Sequence, residues 1–197
     1  MSFLLDPTRP SLYICLLSIT STPLGWSFIA RNEYRHHTLT KFIGARTACS
    51  IFGVVIFLSG LLRDVLYRIA LHDQPYYPLP YEIQTILAWI IFSVGNFLVA
   101  ASFVRLGFWG TFYGDHFGIV KDKRVTGFPF NVLENPMYFG AKLCFVGAAL
   151  WYERPAGLLV AAYVHLAYMA VLRLESPFTD MIYAKRRPSN GTARPMS

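Results

Sequence analysis

Long apolar runs, broken by short polar stretches, set the pattern of this chain. Uncharged segments occupy Pro10 to Ala30, Thr47 to Leu62, Ile83 to Val104 and Pro155 to Leu172. Each approaches the roughly 20 residues that carry a helix across a bilayer. A shorter helix is predicted from Asn135-Pro136, an N-cap followed by a first-turn proline, to about Tyr152. The pattern predicts an all-α fold, a polytopic transmembrane bundle of four to five membrane-embedded helices. The first run holds Thr20, Ser21, Thr22, Pro23 and Gly25 at its middle, so it is open to being kinked or re-entrant. Pro177 is expected to end or kink the last helix.

Composition agrees with the pattern. The 197 residues are 54% hydrophobic and 15% charged, against about 25% charged in a soluble domain. The net charge of +7 reads as basic flanks against an anionic leaflet, with no nucleic acid partner. If all five segments cross, Arg31–Arg46, the loop after Val104 and the C-terminal tail share one side with twelve Lys and Arg. The other side has four, Arg9, Arg63, Arg68 and Arg154. The excess places the central loop in the cytosol. One domain spans 1–187, and the Arg-, Pro- and Ser-rich 188–197 is expected to be a disordered tail.

Metal and redox chemistry find little support. Cys15, Cys49 and Cys144 lie in three separate apolar runs, without the spacing of a disulfide framework or a zinc site. His36-His37 lacks a third ligand nearby in sequence and reads as a loop pair. No metal is expected.

The segment Arg105–Gly140 differs from the rest. It combines glycines, aromatic rings, the Asp115-His116 pair, the cations Lys121, Lys123 and Arg124, and Asn135-Pro136. The predicted helix that starts at Pro136 points its free N–H groups into this loop, where they favour a carboxylate or phosphate. Tyr138 is in its first turn, and Lys142 is one turn further on. Ser93, Val94 and Gly95 lie in the third run and Glu175 follows the last. Ser93 and Asn96 share a helix face, which suits either close helix packing or a ligand groove. A lone His165 in the last run reads as hydrogen-bonded packing.

GTFYGDHFGI (110–119), RVTGFPFNV (124–132), ENPMYFG (134–140) and LESPFTDMIYAKR (174–186) carry a resemblance, as does WSFIARNEYRHHTLTKFIGAR (26–46). In these motifs the chain resembles the small integral-membrane phospholipid methyltransferases, from about residue 20 to residue 187. The resemblance implies methyl transfer from S-adenosyl-L-methionine to the head-group amine of a membrane phospholipid, in its last two steps from the monomethyl lipid to phosphatidylcholine. It implies a multi-pass protein of the endoplasmic reticulum membrane, in some members also of mitochondrial membrane, with a phospholipid substrate and the bilayer as partners. The cofactor positions it implies are a Gly-X-Gly, here Ser93-Val94-Gly95, and a Glu-Glu pair, here Glu175-Ser176. To these the helix N-terminus at Asn135-Pro136 is added. His116 stands where the family shows a tyrosine. Direct transfer needs alignment of amine, methyl and sulfur and removal of the amine proton. The candidate catalytic residues are Asp115, His116 and Tyr138, with Glu175 a further proton acceptor and Lys121, Lys123 and Arg124 candidates for the lipid phosphate. A prenyl-cysteine carboxyl methyltransferase is disfavoured, because its Arg-His-Pro reads here Glu134-Asn135-Pro136. A non-catalytic lipid-binding protein or small transporter is the reading from another class.

Overall fold

The computed structural model describes residues 4–78, 81–119 and 125–186. Lys121, Lys123, Arg124 and the tail 188–197 lie outside the described residues. Among the described residues there are six helices: α1 (Pro10–His36), α2 (Thr40–Ile43), α3 (Ala45–His72), α4 (Tyr81–Thr111), α5 (Pro136–Trp151) and α6 (Pro155–Arg186). Among the described residues four helices, α1, α3, α4 and α6, are long and apolar enough to cross a membrane. This is a multi-pass membrane protein, and α5 is the shorter fifth element that the sequence predicts.

The helices run further than the apolar runs alone suggest. α1 is one helix that continues through Pro23, so the first run takes the crossing form rather than the re-entrant one. It begins with Pro10 at its first turn and ends at His37 in the left-handed conformation. The buried Glu33 then accepts from Thr38 Oγ1, Leu39 N and Thr40 N at 2.7–2.8 Å. One carboxylate thus satisfies three donors where the chain turns. α3 extends to His72 and carries Arg63, Asp64 and Arg68 within the helix. α4 extends to Thr111 across a break at Gly107, whose φ of 68° suits glycine. α6 continues through Pro177 to Arg186.

Hydrogen bonds fix which helix ends share a side. Asp6 and Gln74 exchange two bonds, Arg154 Nη1 donates to Gln74 O at 2.6 Å, and Tyr77 N donates to Glu153 O. These tie the start of α1, the α3–α4 connection and the α5–α6 turn together. At the other end, Arg31 of α1 donates to Leu174 O of α6. That alternation is the one used above to weigh the cations of the two sides.

α5 packs against α4 along most of its length. A Cβ added at Gly95 would lie 2.7 Å from Gly140 O, and one at Gly140 would lie 2.6 Å from Gly95 O. Gly147 faces Phe92 as closely, at 2.8 Å from its Cβ. Small residues let the two backbones touch. The interior forms two apolar clusters. Leu12, Ile19, Tyr67, Phe145 and Val164 lie in one, and Ala30, Cys49, Phe52 and Phe117 in the other. Phe28, Leu17 and Val104 stand outward, 68–82% exposed. In a membrane that face meets lipid, so no aqueous penalty attaches to it.

Candidate active site

Glu175 gathers the site. It sits on α6, about one turn beyond Val171, the last buried position of the apolar run. Its Oε2 accepts from Tyr138 Oη of α5 at 2.7 Å, and its Oε1 accepts from Tyr113 Oη. Tyr113 follows α4 directly and has φ 58°, a conformation a bulky residue adopts only when its surroundings enforce it. Burial and the neighbouring Glu175 carboxylate push the Tyr113 phenol well above its usual range, so it remains a donor.

The loop that presents Tyr113 is wound tightly. Gly114 N donates to Trp109 O and Ile119 N to Gly114 O, each at 2.7 Å. A Cβ at Gly114 would lie 2.6 Å from Trp109 O, so only glycine fits there. Phe117, 2% exposed, anchors the loop against Phe52. Between them Asp115 Oδ1 accepts from His116 N at 3.0 Å and pairs with His116 Nδ1 at 2.8 Å. The His116 ring is buried and stacks on Phe178 of α6 at 5.0 Å. Tyr113 and Tyr34 meet it edge-on.

Arg31 completes the cluster from α1. Its guanidinium lies 4.9 Å from the Phe178 ring centroid, and its buried Nε has no hydrogen-bond partner among the described residues. An orphaned guanidinium N–H beside Glu175 is a place for an anionic group. The described residues therefore bring together a carboxylate, a cation, two phenols, an Asp-His pair and a set of rings, from α1, α5, α6 and the loop after α4.

The structure brings Asp115, His116, Tyr138 and Glu175 into this cluster. Asn135 and Pro136 stand one turn before Tyr138. Asn135 makes no side-chain cap. Its carbonyl accepts from Phe139 N at 3.0 Å instead, while Pro136 takes the first helical position. Ser176 is half-buried beside Glu175. The remaining motif lies across α5: Gly95 meets the Gly140 edge of that helix, Tyr138 projects from another, and Ser93 and Val94 face outward. Lys142 contacts the exposed His165 at 3.0 Å. Tyr113, Arg31, Tyr34 and Phe178 were missed as site residues. All four lie inside the motifs that carry the resemblance, but their partners are distant in sequence.

The family model described as phospholipid methyltransferase matches residues 83–186, which include Tyr113, Asp115, His116, Tyr138 and Glu175. The chain is 47% identical over 184 residues to phosphatidyl-N-methylethanolamine N-methyltransferase of Neurospora crassa, covering 92% of this chain and 86% of that one. To the protein of the same name in Saccharomyces cerevisiae it is 49% identical, over 83% of this chain and 81% of that one. To phosphatidylethanolamine N-methyltransferase of Rattus norvegicus it is 41% identical, over 94% and 96%. No solved structure matches. With a family match over more than half its length and relatives aligned over most of it, this chain belongs to the phospholipid methyltransferase family of enzymes.

Proposed function

We propose that this enzyme methylates phosphatidyl-N-methylethanolamine twice, giving the dimethyl lipid and then phosphatidylcholine, with S-adenosyl-L-methionine as donor. The observation that carries the reading is the Glu175 cluster, a hydrogen-bonded carboxylate beside an orphaned guanidinium N–H at one end of a membrane bundle. The relatives at 47% and 49% identity bear the name of that activity.

The residues fit the donor's chemistry. Arg31 Nε would take its carboxylate, and the first turn of α5 at Asn135-Pro136 offers further N–H groups. Glu175, held by Tyr113 and Tyr138, would take its ammonium or ribose hydroxyls. Tyr34 and Phe178 would offer ring faces for adenine, and Ser93 to Gly95 would border the site only from across α5. When bound, the sulfonium supplies the methyl group.

The chain's own task is then to place the amine and relieve it of a proton, which Asp115 would take. Asp115 uses Oδ1 for His116, and its other oxygen is the one assigned to the head-group ammonium. His116, fixed by that pairing and by the Phe178 stack, is a positioning residue for Asp115. Aromatic faces favour the increasingly methylated cation. Residence in the endoplasmic reticulum membrane, and in mitochondrial membrane as a second location, belongs to the same reading, and membrane fractionation tests it.

Labelled donor should be incubated with purified protein and three separate lipids: phosphatidylethanolamine, its monomethyl form and its dimethyl form. Label in the two methylated substrates and not in the first supports the two-step enzyme. Label in all three extends it to the full pathway. No label from folded protein overturns the reading.

A further inference from the structure

A second polar feature sits at hydrocarbon depth, away from Glu175. α3, α4 and α5 border a cleft of about 570 Å³, lined by Arg63, Asp64, Arg68, Trp89, Asn96 and Trp151 among mostly apolar neighbours. It occupies the half of the bundle nearer the α5–α6 turn. Arg63 lies nine residues before the end of α3, about 14 Å along the helix axis. That depth is inside the apolar layer for a helix of this length.

Each of the three nitrogens of Arg63 makes a hydrogen bond. Its Nη1 donates to Tyr168 Oη at 2.7 Å, and its Nε and Nη2 donate to Asp64 Oδ1 at 3.0 and 2.7 Å. The guanidinium also lies 5.2 Å from the Phe145 ring centroid. Asp64 is different. Both Arg63 bonds fall on one of its oxygens, and its side chain is 57% exposed. A carboxylate open at this depth is costly against acyl chains. A polar occupant of the cleft removes that cost. Arg68 follows Asp64 by four residues, one helical turn, and lines the same cleft. An anion-accepting group and a cation-accepting group therefore stand side by side above an apolar wall. Trp89 and Trp151 meet edge-on at 5.4 Å in the part nearer the α5–α6 turn, as rings at a membrane interface do.

We propose that this cleft binds one zwitterionic glycerophospholipid, with its ammonium on Asp64, its phosphate on Arg68 and its acyl chains along the α4–α5 wall. The wall is apolar, and Trp89 and Phe92 within it stand open to the surrounding lipid, which favours a lipid over a peptide or free amino acid. The choice of occupant rests on the phospholipid reading given above, but the site is separate from the Glu175 cluster. The bound lipid is a resident neighbour, not the methyl acceptor. A line of contacts still joins the two sites. Arg63 holds Tyr168, the Tyr168 ring meets Tyr138 at 5.1 Å, and Tyr138 holds Glu175.

The test is quenching of Trp89 and Trp151 fluorescence, measured without donor in the full chain carrying Trp26→Phe and Trp109→Phe. The protein sits in nanodiscs containing brominated-chain phosphatidylethanolamine or brominated-chain phosphatidylglycerol at equal mole fraction. The expected result is half-maximal quenching at a several-fold lower fraction of the zwitterionic lipid. Asp64→Asn should abolish that preference, and Asp64→Glu should retain most of it, which separates a lost charge from a lost fold. Equal quenching by both lipids, or a preference untouched by Asp64→Asn, overturns the proposal. S-adenosylhomocysteine titration of the same variants adds a second reading. Loss of its binding in Asp64→Asn with lipid preference intact would place donor in the cleft and also overturn the proposal. A head-group preference that depends on Asp64, in protein inactive towards all three lipids, would uphold the cleft and sink the enzymatic reading alone.

Discussion

Glu175 of α6 and Tyr138 of α5 meet at 2.7 Å across the interior of the bundle, 37 residues apart in sequence. Through this pair the α5–α6 hairpin sets the position of the carboxylate, while Tyr113 secures it from the loop after α4. Tyr138→Phe keeps the ring and removes one donor to a buried acceptor, a loss of about 1–3 kcal/mol. Donor affinity should fall roughly tenfold to a hundredfold, with the melting temperature lower by a few degrees. Equilibrium titration with S-adenosylhomocysteine checks this, and unchanged affinity would separate Tyr138 from the donor site.

Tyr113 gives a prediction in pH. Its phenol is held well above the ordinary tyrosine range, first by burial and then by Glu175. A raised folded value means that its contribution to stability is fully present below the unfolded pKa and is lost progressively as pH rises from there through the folded one. Difference titration of tyrosinate absorbance against Tyr113→Phe should therefore show no loss of signal near pH 10 in the folded protein. A missing tyrosine at that pH would mean that the phenol is open to water and that the bond to Glu175 does not hold it.

The α4–α5 contact predicts a steric effect. Gly140→Ala puts a methyl group 2.6 Å from the Gly95 carbonyl oxygen, and backbone cannot yield as a side-chain tip can. Overpacking of this kind costs about 1–3 kcal/mol. The variant should melt lower in detergent and lose activity with it. A substitution to alanine at Gly25, which has nothing within 4 Å of the added carbon, is the matched control and should leave the melt unchanged.

Much of this was legible in the sequence because hydrocarbon solvent writes its demand directly into composition. The runs at Pro10, Thr47, Ile83 and Pro155 each became a helix, and Pro136 opened α5 after Asn135, as the Asn-Pro step predicted. Helix ends were less legible. α3 passes ten residues beyond Leu62 because Arg63 finds Asp64 and Tyr168 rather than water, and no local pattern announces a partner 105 residues away. The Asp115-His116 pair could be read because its members are neighbours. Tyr113 with Glu175, and Arg31 with Leu174, could not be, since each bond joins elements far apart in the chain. The Ser93-Val94-Gly95 motif was visible as small residues on a helix, but its closest role in the structure is Gly95 against Gly140.

Glu33 shows how a charge in a basic loop region can be structural. It is fully buried and accepts from Thr38, Leu39 and Thr40. Glu33→Ala leaves those donors without their acceptor, a cost of about 1–3 kcal/mol for each that stays buried. Limited proteolysis should cut between His37 and Gly44 several-fold faster in the variant, and an unchanged cleavage rate would mean that the turn holds without its carboxylate.

In the proposed reaction Glu175 organises methyl transfer, and the dependence of rate on donor reads this. Initial rates of transfer from labelled S-adenosylmethionine to phosphatidyl-N-methylethanolamine should be followed as donor concentration varies, for the native chain and for Glu175→Gln, with both shown to be folded by thermal melt. Donor KM should be at least about tenfold higher in Glu175→Gln, since a hydrogen bond to a charged group is worth about 1.5–3 kcal/mol. Native donor KM and kcat in the folded variant would contradict it and move the reaction centre away from this cluster.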